Sequence, residues 1–535
     1  MLWYRTSARP NGESYSGWKC SVISRSRGWR SSVGQQVDDG IRKVTAWRII
    51  LIMKVCPFRL TVCFALCCAM AGTALIGQTA AANSIKRIYV EPFTTQQGSD
   101  KFREDVIAEL RKLSSVSLVS DESSADEILG GGGEVWIKGY RSHNPQLGKV
   151  PPNGAPIFTG FLSIELRDTS GDTLWSYLAT PPAASRDVSK DLSTQIVKKL
   201  AESLEQTEAP FQTSSLPQPT TILKGAGATF PYPVYEKWFR NYRRKNPAIQ
   251  ITYEPVGSEA GIRQLLANSV DFGASDSPEA IHELAPEQEK NYLFFPSVVG
   301  AVVPVVNLPG VPGDIAFTPE ALAGIYLGKI KKWNDPILAH ANRGLRLPDL
   351  DITVVHRADG SGTSYAWTDY LSKASPEWKT LVGASLTPQW PIGREANGND
   401  GVSKLVHEQS GSIGYVEFTF ALQNHLNYSR VRNRNGEFIS ASLESIAAAA
   451  SHSLKITDGF KASIADAPGV GVYPISSFTW IVVPAVNSDG AKRSALTGFL
   501  QWILGPGQRQ AAALGYLALP KDVVTKEAAA IARIQ

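Results

Sequence analysis

From Thr221 to the C-terminus, short apolar runs alternate with segments of helical periodicity. This alternation confines that part of the chain to α/β architecture, in which helices flank a sheet. Ile222 to Lys224, Ile249 to Glu254, Val298 to Val306 and Ile352 to His356 have strand composition. Tyr232 to Asn246, Ile262 to Asn268 and Pro319 to Gly328 have helical spacing. Residues 221–535 are too many for one hydrophobic core, so two lobes are expected. Residues 206–220 are polar and proline-rich and read as a linker.

Ahead of the linker, residues 83–205 read as a small α+β domain. Ile85 to Phe93, Val116 to Val119 and Glu134 to Tyr140 are strand candidates, and Phe158 to Arg167 with Thr173 to Tyr177 form a hairpin that turns at residues 168–172. Asp100 to Leu113 places Phe102, Val106, Ile107, Leu110 and Leu113 at helical spacing, and Val188 to Leu204 is an amphipathic helix. Gly130 to Gly133 invites comparison with a phosphate loop but lacks the following Lys-Ser/Thr, so a flexible turn is expected there.

All five cysteines (Cys20, Cys56, Cys63, Cys67, Cys68) precede residue 70, which leaves no disulfide or thiolate metal site downstream. From Met53, the basic Lys54 and Arg59 lead into an uncharged run from Leu60 to Ile76, and Thr79-Ala80-Ala81-Ala82 offers small residues for cleavage. Residues 53–82 therefore read as a signal peptide, which implies a periplasmic location. The apolar run is shorter than the roughly 20 residues that span a bilayer, which favours cleavage over retention as an anchor. Phe64-Ala65-Leu66 lacks the small residue expected before a lipidated cysteine. Residues 1–52, rich in Arg, Ser and Gly, read as a disordered extension from a misassigned start codon, with Met53 the true initiator. Much of the basic excess behind the formal net charge of +5 lies there, so the remainder is closer to neutral and shows no nucleic-acid footprint.

Four segments carry the chemistry. Gly225-Ala226-Gly227-Ala228-Thr229-Phe230-Pro231 joins a strand to a helix; glycines let backbone N–H groups approach an anion, and Thr229 adds a hydroxyl. Val256-Gly257-Ser258-Glu259-Ala260-Gly261 makes a second strand-to-helix turn, with Ser258 placed as an N-cap. His356-Arg357-Ala358-Asp359-Gly360-Ser361-Gly362-Thr363-Ser364 follows the strand Asp351 to Val355 and opens a helix at Tyr365 to Ser372. A guanidinium at such a turn can donate two parallel hydrogen bonds to a phosphate, and Asp359 can orient it. In Asp271-Phe272-Gly273-Ala274-Ser275-Asp276-Ser277-Pro278, Asp276 ends a buried strand. A carboxylate serves an anion site only when the ligand still carries a proton, because a fully ionised oxyanion such as sulfate is repelled. Each segment also has a purely structural reading as an ordinary turn or cap.

Together and in this order, these segments resemble the phosphate-binding protein of bacterial high-affinity phosphate ABC transporters. The likeness runs from Leu223 to about Val523 and includes Ile325-Tyr-Leu-Gly-Lys-Ile-Lys-Lys-Trp333, Trp390-Pro-Ile-Gly393, Gly398-Asn-Asp-Gly401, Gly411-Ser-Ile-Gly-Tyr-Val-Glu417 and Leu514-Gly-Tyr-Leu-Ala-Leu-Pro520. It implies a two-lobed type II periplasmic-binding-protein (Venus-flytrap) fold over residues 221–535, preceded by the small α+β domain. Lobe 1 would comprise about 221–303 and 470–535, and lobe 2 about 304–469. It also implies that Thr229, Phe230 (through its N–H), Ser258, Asp276, Arg357, Ser361, Gly362 (backbone) and Thr363 hold inorganic phosphate, with Asp359 fixing Arg357. The implied partners are an ABC permease and ATPase, with membrane contact through the permease only and no cofactor, metal or nucleic acid. The chain departs from the family at Glu259 and Ala260, where a small hydroxyl residue and a glycine are usual, and at Arg394-Glu395-Ala396-Asn397, which replaces a glycine-rich stretch. Glu259 would be tolerable if it pointed into solvent from the helix start.

Three rival readings follow from the same residues. The cleft binds another oxyanion; the chain is a phosphatase using Ser361 or Thr363 with His356 as base; or the 83–205 domain makes it an envelope adhesion or signalling protein.

Overall fold

The structure, a computed structural model, describes residues 85–94, 99–141, 155–181, 185, 187–204, 220–311, 314–452 and 460–535. They all belong to one compact unit, Asn83–Gln535. The expected extension at 1–52, the expected signal peptide at 53–82 and all of the expected linker but Thr220 lie outside the described residues.

The small α+β domain is built on a five-stranded sheet of β1 (Lys86–Val90), β2 (Val116–Val119), β3 (Glu127–Arg141), β4 (Ala155–Asp168) and β5 (Thr173–Ala179), in the order β2-β1-β3-β4-β5. β1 runs parallel to β2 and β3, while β3, β4 and β5 are antiparallel. Helices Ser99–Leu110 and Val188–Leu204 pack together and against the sheet, and Phe102, Val106, Leu110, Leu192, Ile196 and Leu200 bury with Ile88, Leu162 and Ile164. Period-two burial along β4 (Leu162, Ile164, Leu166 inward) fixes its register, since a slip of one residue would turn that apolar set outward. The turn at 168–172 is as expected: the Asp168 carboxylate accepts from the Ser170 and Asp172 amides, both at 2.9 Å, and Gly171 has φ +85°.

Gly130 to Gly133 corrects the expectation of a flexible turn, because these residues lie inside β3 and pair with Glu165 to Leu162 of β4. Glycine is needed here for closeness. The segment Glu91–Thr94 lies across the strand (Thr94 N to Gly131 O, 2.9 Å), and a Cβ at Gly132 would sit 2.5 Å from the Thr94 carbonyl oxygen.

The remainder shows the expected two-lobed α/β architecture. Its strands are β6 (Thr221–Gly227), β7 (Ile249–Glu254), β8 (Phe272–Ser275), β9 (Tyr292–Asn307), β10 (Ala316–Phe317), β11 (Thr353–Arg357), β12 (Arg394–Ala396), β13 (Ser412–Glu417), β14 (Asn427–Tyr428), β15 (Arg430–Arg432), β16 (Phe438–Ile439) and β17 (Ser476–Pro484). One sheet runs β12-β11-β13-β9-β17-β8-β6-β7, with β14 also on β9, and a small sheet runs β10-β15-β16. β9 joins the lobes. Up to Ala301 it pairs with β17 of the first lobe; from Val302 it pairs with β13 of the second. It is buried along almost its whole length, which explains its near-continuous run of apolar residues. The chain returns to the first lobe at Ile475–Ser476, where the Ile475 carbonyl accepts from Val302 N at 2.9 Å.

Candidate functional site

On the first lobe, β6 ends at Gly227, whose φ is +146°; a Cβ there would lie 2.1 Å from the Ala274 carbonyl oxygen, so only glycine lets β6 and β8 come this close. The turn that follows brings Thr229 and Phe230 to the start of helix Tyr232–Lys245. Phe230 is fully buried, and its carbonyl accepts from the Tyr516 hydroxyl at 2.7 Å.

Ser258 is not the N-cap that the sequence suggests. Gly257, at φ +95°, takes that position, and helix Ser258–Leu266 starts one residue later. A side chain at 257 would lie 2.6 Å from Asp359 Oδ2, so the turn needs glycine, and the Ser258 hydroxyl is released towards the other lobe. There it accepts a hydrogen bond from Gly362 N at 3.0 Å. Glu259 does not point into solvent either. Its N–H donates to the Gly360 carbonyl (3.0 Å) and its carboxylate pairs with Arg263 one turn on (2.7 Å), which offsets its charge.

Asp276 follows β8 and is 1% exposed. Its Oδ1 accepts from the Thr479 hydroxyl at 2.5 Å, while Oδ2 is buried with no partner among the described residues. Burial pushes its pKa up to about 7, although Thr479 and the Arg357 charge pull the other way.

From the second lobe, β11 delivers Arg357, which is buried and donates through Nε to Asp359 Oδ1 (2.7 Å), through Nη2 to Oδ2, and through Nη1 to the Thr363 hydroxyl (3.4 Å). The two-pronged pairing fixes the plane of the guanidinium. Burial alone would raise the Asp359 pKa, but hydrogen bonds and charge from Arg357, with the Gly398 amide, hold it below the usual carboxylate value. Helix Gly362–Ala374 starts three residues before the expected Tyr365, with Ser361 as N-cap accepting from Ser364 N at 3.1 Å. Its first turn therefore points backbone N–H groups and positive dipole into the cleft. A Cβ on Gly362 would lie 2.5 Å from both Asp276 Oδ2 and Ser258 Oγ, which shows how closely the helix start abuts the first lobe.

The structure thus draws Thr229, Phe230, Ser258, Asp276, Arg357, Ser361, Gly362 and Thr363 around one closed cleft, with Asp359 behind Arg357. One residue absent from the sequence-based set sits at its centre. Asn399, fully buried, donates from Nδ2 to the Thr229 hydroxyl across the cleft (3.0 Å) and to Thr363 (3.5 Å), and its Oδ1 accepts from Glu417 N (3.0 Å). The signal for it was the polar Asn inside Gly398-Asn-Asp-Gly401, at the start of helix Gly398–Glu408. Tyr415 was also missed: its hydroxyl accepts from Arg357 N (3.2 Å) and bonds Ser364 Oγ (2.6 Å). His356 is turned away from the cleft, stacked on Trp390 at 4.9 Å with Nδ1 donating to the Arg357 carbonyl at 3.1 Å.

Among the described residues, the cleft therefore offers one fixed cation, several hydroxyls, a helix N-terminus and one carboxyl acceptor. That donor-rich set with one acceptor suits a tetrahedral oxyanion that retains a proton.

Residues 213–506 match the PBP superfamily domain. The phosphate-binding protein PstS of Pasteurella multocida is 41% identical over 318 residues, covering 59% of this chain and 91% of that one. Its counterpart in Xylella fastidiosa is 43% identical over 304 residues, covering 56% of this chain and 82% of that one. Among solved structures, a phosphate-binding protein from Stenotrophomonas maltophilia aligns with a TM-score of 0.45 at 20% identity, over 58% of this chain and 93% of that chain. The PBP superfamily match over more than half of the chain, with the identity and coverage of the two PstS relatives, places the chain in the PBP superfamily and, within it, in the family of PstS phosphate-binding proteins.

Proposed function

We propose that this chain captures one inorganic phosphate between its lobes and hands it to an ABC transporter's permease and ATPase for import. In this reading it works in the periplasm after export by the 53–82 signal peptide. The lobes are about residues 221–303 with 470–535 and about residues 304–469. Thr229, Ser258, Arg357, Ser361 and Thr363 supply donors with the Phe230 and Gly362 amides, and the Asp276 carboxylate accepts a hydrogen bond from the ligand's O–H.

The observation that carries this reading is the free Oδ2 of Asp276. It is a buried acceptor with no partner among the described residues, beside the start of helix Gly362–Ala374 and across the cleft from Arg357. A buried unsatisfied acceptor costs on the order of 1–3 kcal/mol, and a protonated phosphate relieves that cost where sulfate cannot. Closure then follows from ligand contacts on both lobes: the first lobe holds phosphate through Thr229, Ser258 and Asp276, and the Arg357 turn swings across it.

The carrier reading is favoured over the phosphatase reading by the positions of the would-be nucleophile and base. The Ser361 hydroxyl caps its own helix and His356 faces Trp390. Equilibrium dialysis with radiolabelled phosphate tests capture, with one ion retained per chain as the expected result. Steady hydrolysis of a chromogenic phosphate ester, abolished by Ser361→Ala, would instead establish the enzyme. In a strain lacking this chain, loss of high-affinity phosphate uptake tests delivery.

A further inference from the structure

The small α+β domain does not hang free of the lobes; it is anchored to both. On the first lobe, Lys237 pairs with Glu165 (2.9 Å), Lys245 with Asp172 (2.5 Å), the Ser163 hydroxyl donates to the Ala513 carbonyl (2.8 Å), and the Ser176 hydroxyl donates to the Arg509 carbonyl (2.6 Å). On the second lobe, the Tyr177 hydroxyl of β5 donates to Glu444, and the arm formed by β3 reaches the segment next to β14, which itself pairs with the second-lobe half of β9. There Trp136 stacks on His425 with ring centroids 4.5 Å apart, Glu134 bonds His425 Nε2 at 2.9 Å, and Lys138 pairs with Asp314 while lying over the Tyr428 ring. His425 is held at φ +52°, a left-handed backbone that side chains seldom adopt, and this turn presents its ring to Trp136.

The two anchors lie on opposite sides of the crossovers at Ala301–Val302 and Ile475–Ser476. Between them the domain also borders a direct contact between the lobes, since Ala513 precedes Leu514, whose carbonyl accepts from the second-lobe residue Thr419 at 2.8 Å. All these contacts coexist with the bonds that close the cleft, Ser258 to Gly362 and Thr229 to Asn399. A rigid body fixed on both sides of a hinge resists its opening.

We infer that the 83–205 domain is a brace that stabilises the closed arrangement, and that Glu134, Trp136, Lys138, Asp314 and His425 thereby set how tightly phosphate is held. The affinity part rests on the phosphate reading; the closure part does not. One lost aromatic stack, one lost charge-assisted contact and one lost hydrogen bond, together on the order of 1–2 kcal/mol, correspond to about a 5- to 30-fold change.

The test uses the full chain carrying Trp136→Ala, Lys138→Ala and Tyr177→Phe, all outside the cleft, which together remove the Trp136 and Lys138 contacts of the arm and the Tyr177–Glu444 bond. Phosphate affinity and dissociation rate are measured beside the distance between spin labels at exposed Ala267→Cys and Lys379→Cys, one on each lobe, with the five native cysteines changed to serine. The brace predicts about 5- to 30-fold weaker phosphate binding with faster release, or, where the empty chain is already closed, a wider interlobe distance without phosphate. Unchanged affinity, release and distance, with hydrogen exchange at residues 423–428 raised to show that the arm has detached, overturns it. If the parent chain fails to bind phosphate, the functional reading falls, and the interlobe distance alone still decides the brace.

Discussion

Asp276→Asn separates stability from binding in one substitution. In the empty chain the Asp276 pKa is raised from 3.8 to about 7, chiefly by burial. The folded chain therefore holds this proton more tightly than the unfolded chain does. The stability that follows is present in full below pH 3.8 and is lost as pH rises towards 7, beyond which the loss is complete. Because each pH unit between those two values is equivalent to about 1.36 kcal/mol, the ionised carboxylate is a burden of roughly 4 kcal/mol above pH 7, of which about 2–3 kcal/mol accrues between pH 5 and pH 8. Asparagine keeps an oxygen to accept from Thr479 and carries no charge. Without phosphate, Asp276→Asn is therefore expected to gain stability relative to the parent as pH rises from 5 to 8, by about 2–3 kcal/mol, in urea titrations at each pH. In the same variant phosphate affinity falls, because the amide's NH2 group faces the ligand's proton. A stability difference that stays flat with pH, or a variant less stable than the parent at pH 8, refutes the claim that Asp276 is a buried, unrelieved acid.

Three further outcomes follow from the same geometry. Arg357→Lys removes the two-pronged pairing with Asp359 and is expected to weaken phosphate binding by about 10- to 100-fold, read by calorimetry, with little change in melting temperature. Asn399→Ala breaks the bridge between Thr229 and Thr363 and is expected to cost about 10-fold in affinity, with a faster dissociation rate in stopped-flow fluorescence. Gly362→Ala places a Cβ 2.5 Å from Asp276 Oδ2 and Ser258 Oγ, so phosphate-induced compaction in small-angle scattering should disappear while the far-ultraviolet circular dichroism is retained.

Local signals carried much of this fold. Helix Val188–Leu204 and strand β7 lie where apolar spacing put them, and the Asp168 turn follows from side-chain bonding within five residues. Four adjacent glycines concealed the first half of β3, because glycine has no pattern of its own; its strand character there comes from the alternation of β4 beside it and from close packing under Glu91–Thr94. In the cleft, Arg357 and Asp359 were legible because they lie two residues apart. Asn399 was not, since its meaning depends on Thr229, 170 residues away. The shift of the cap from Ser258 to Gly257 likewise depends on Asp359 across the cleft. The brace joins residues such as Glu134 and His425, 291 apart in sequence, and no local pattern announces such a pairing.

The central claim is that the cleft reads a proton on its ligand, and calorimetric titration of the full chain with phosphate and with sulfate, side by side at pH 7, tests it most directly. One phosphate per chain is expected, with sulfate weaker by about 10⁴-fold or undetectable, the discrimination typical of a site whose buried polar group is left unpaired by the wrong ligand. Comparable affinity for the two anions, or no heat with phosphate, contradicts the account.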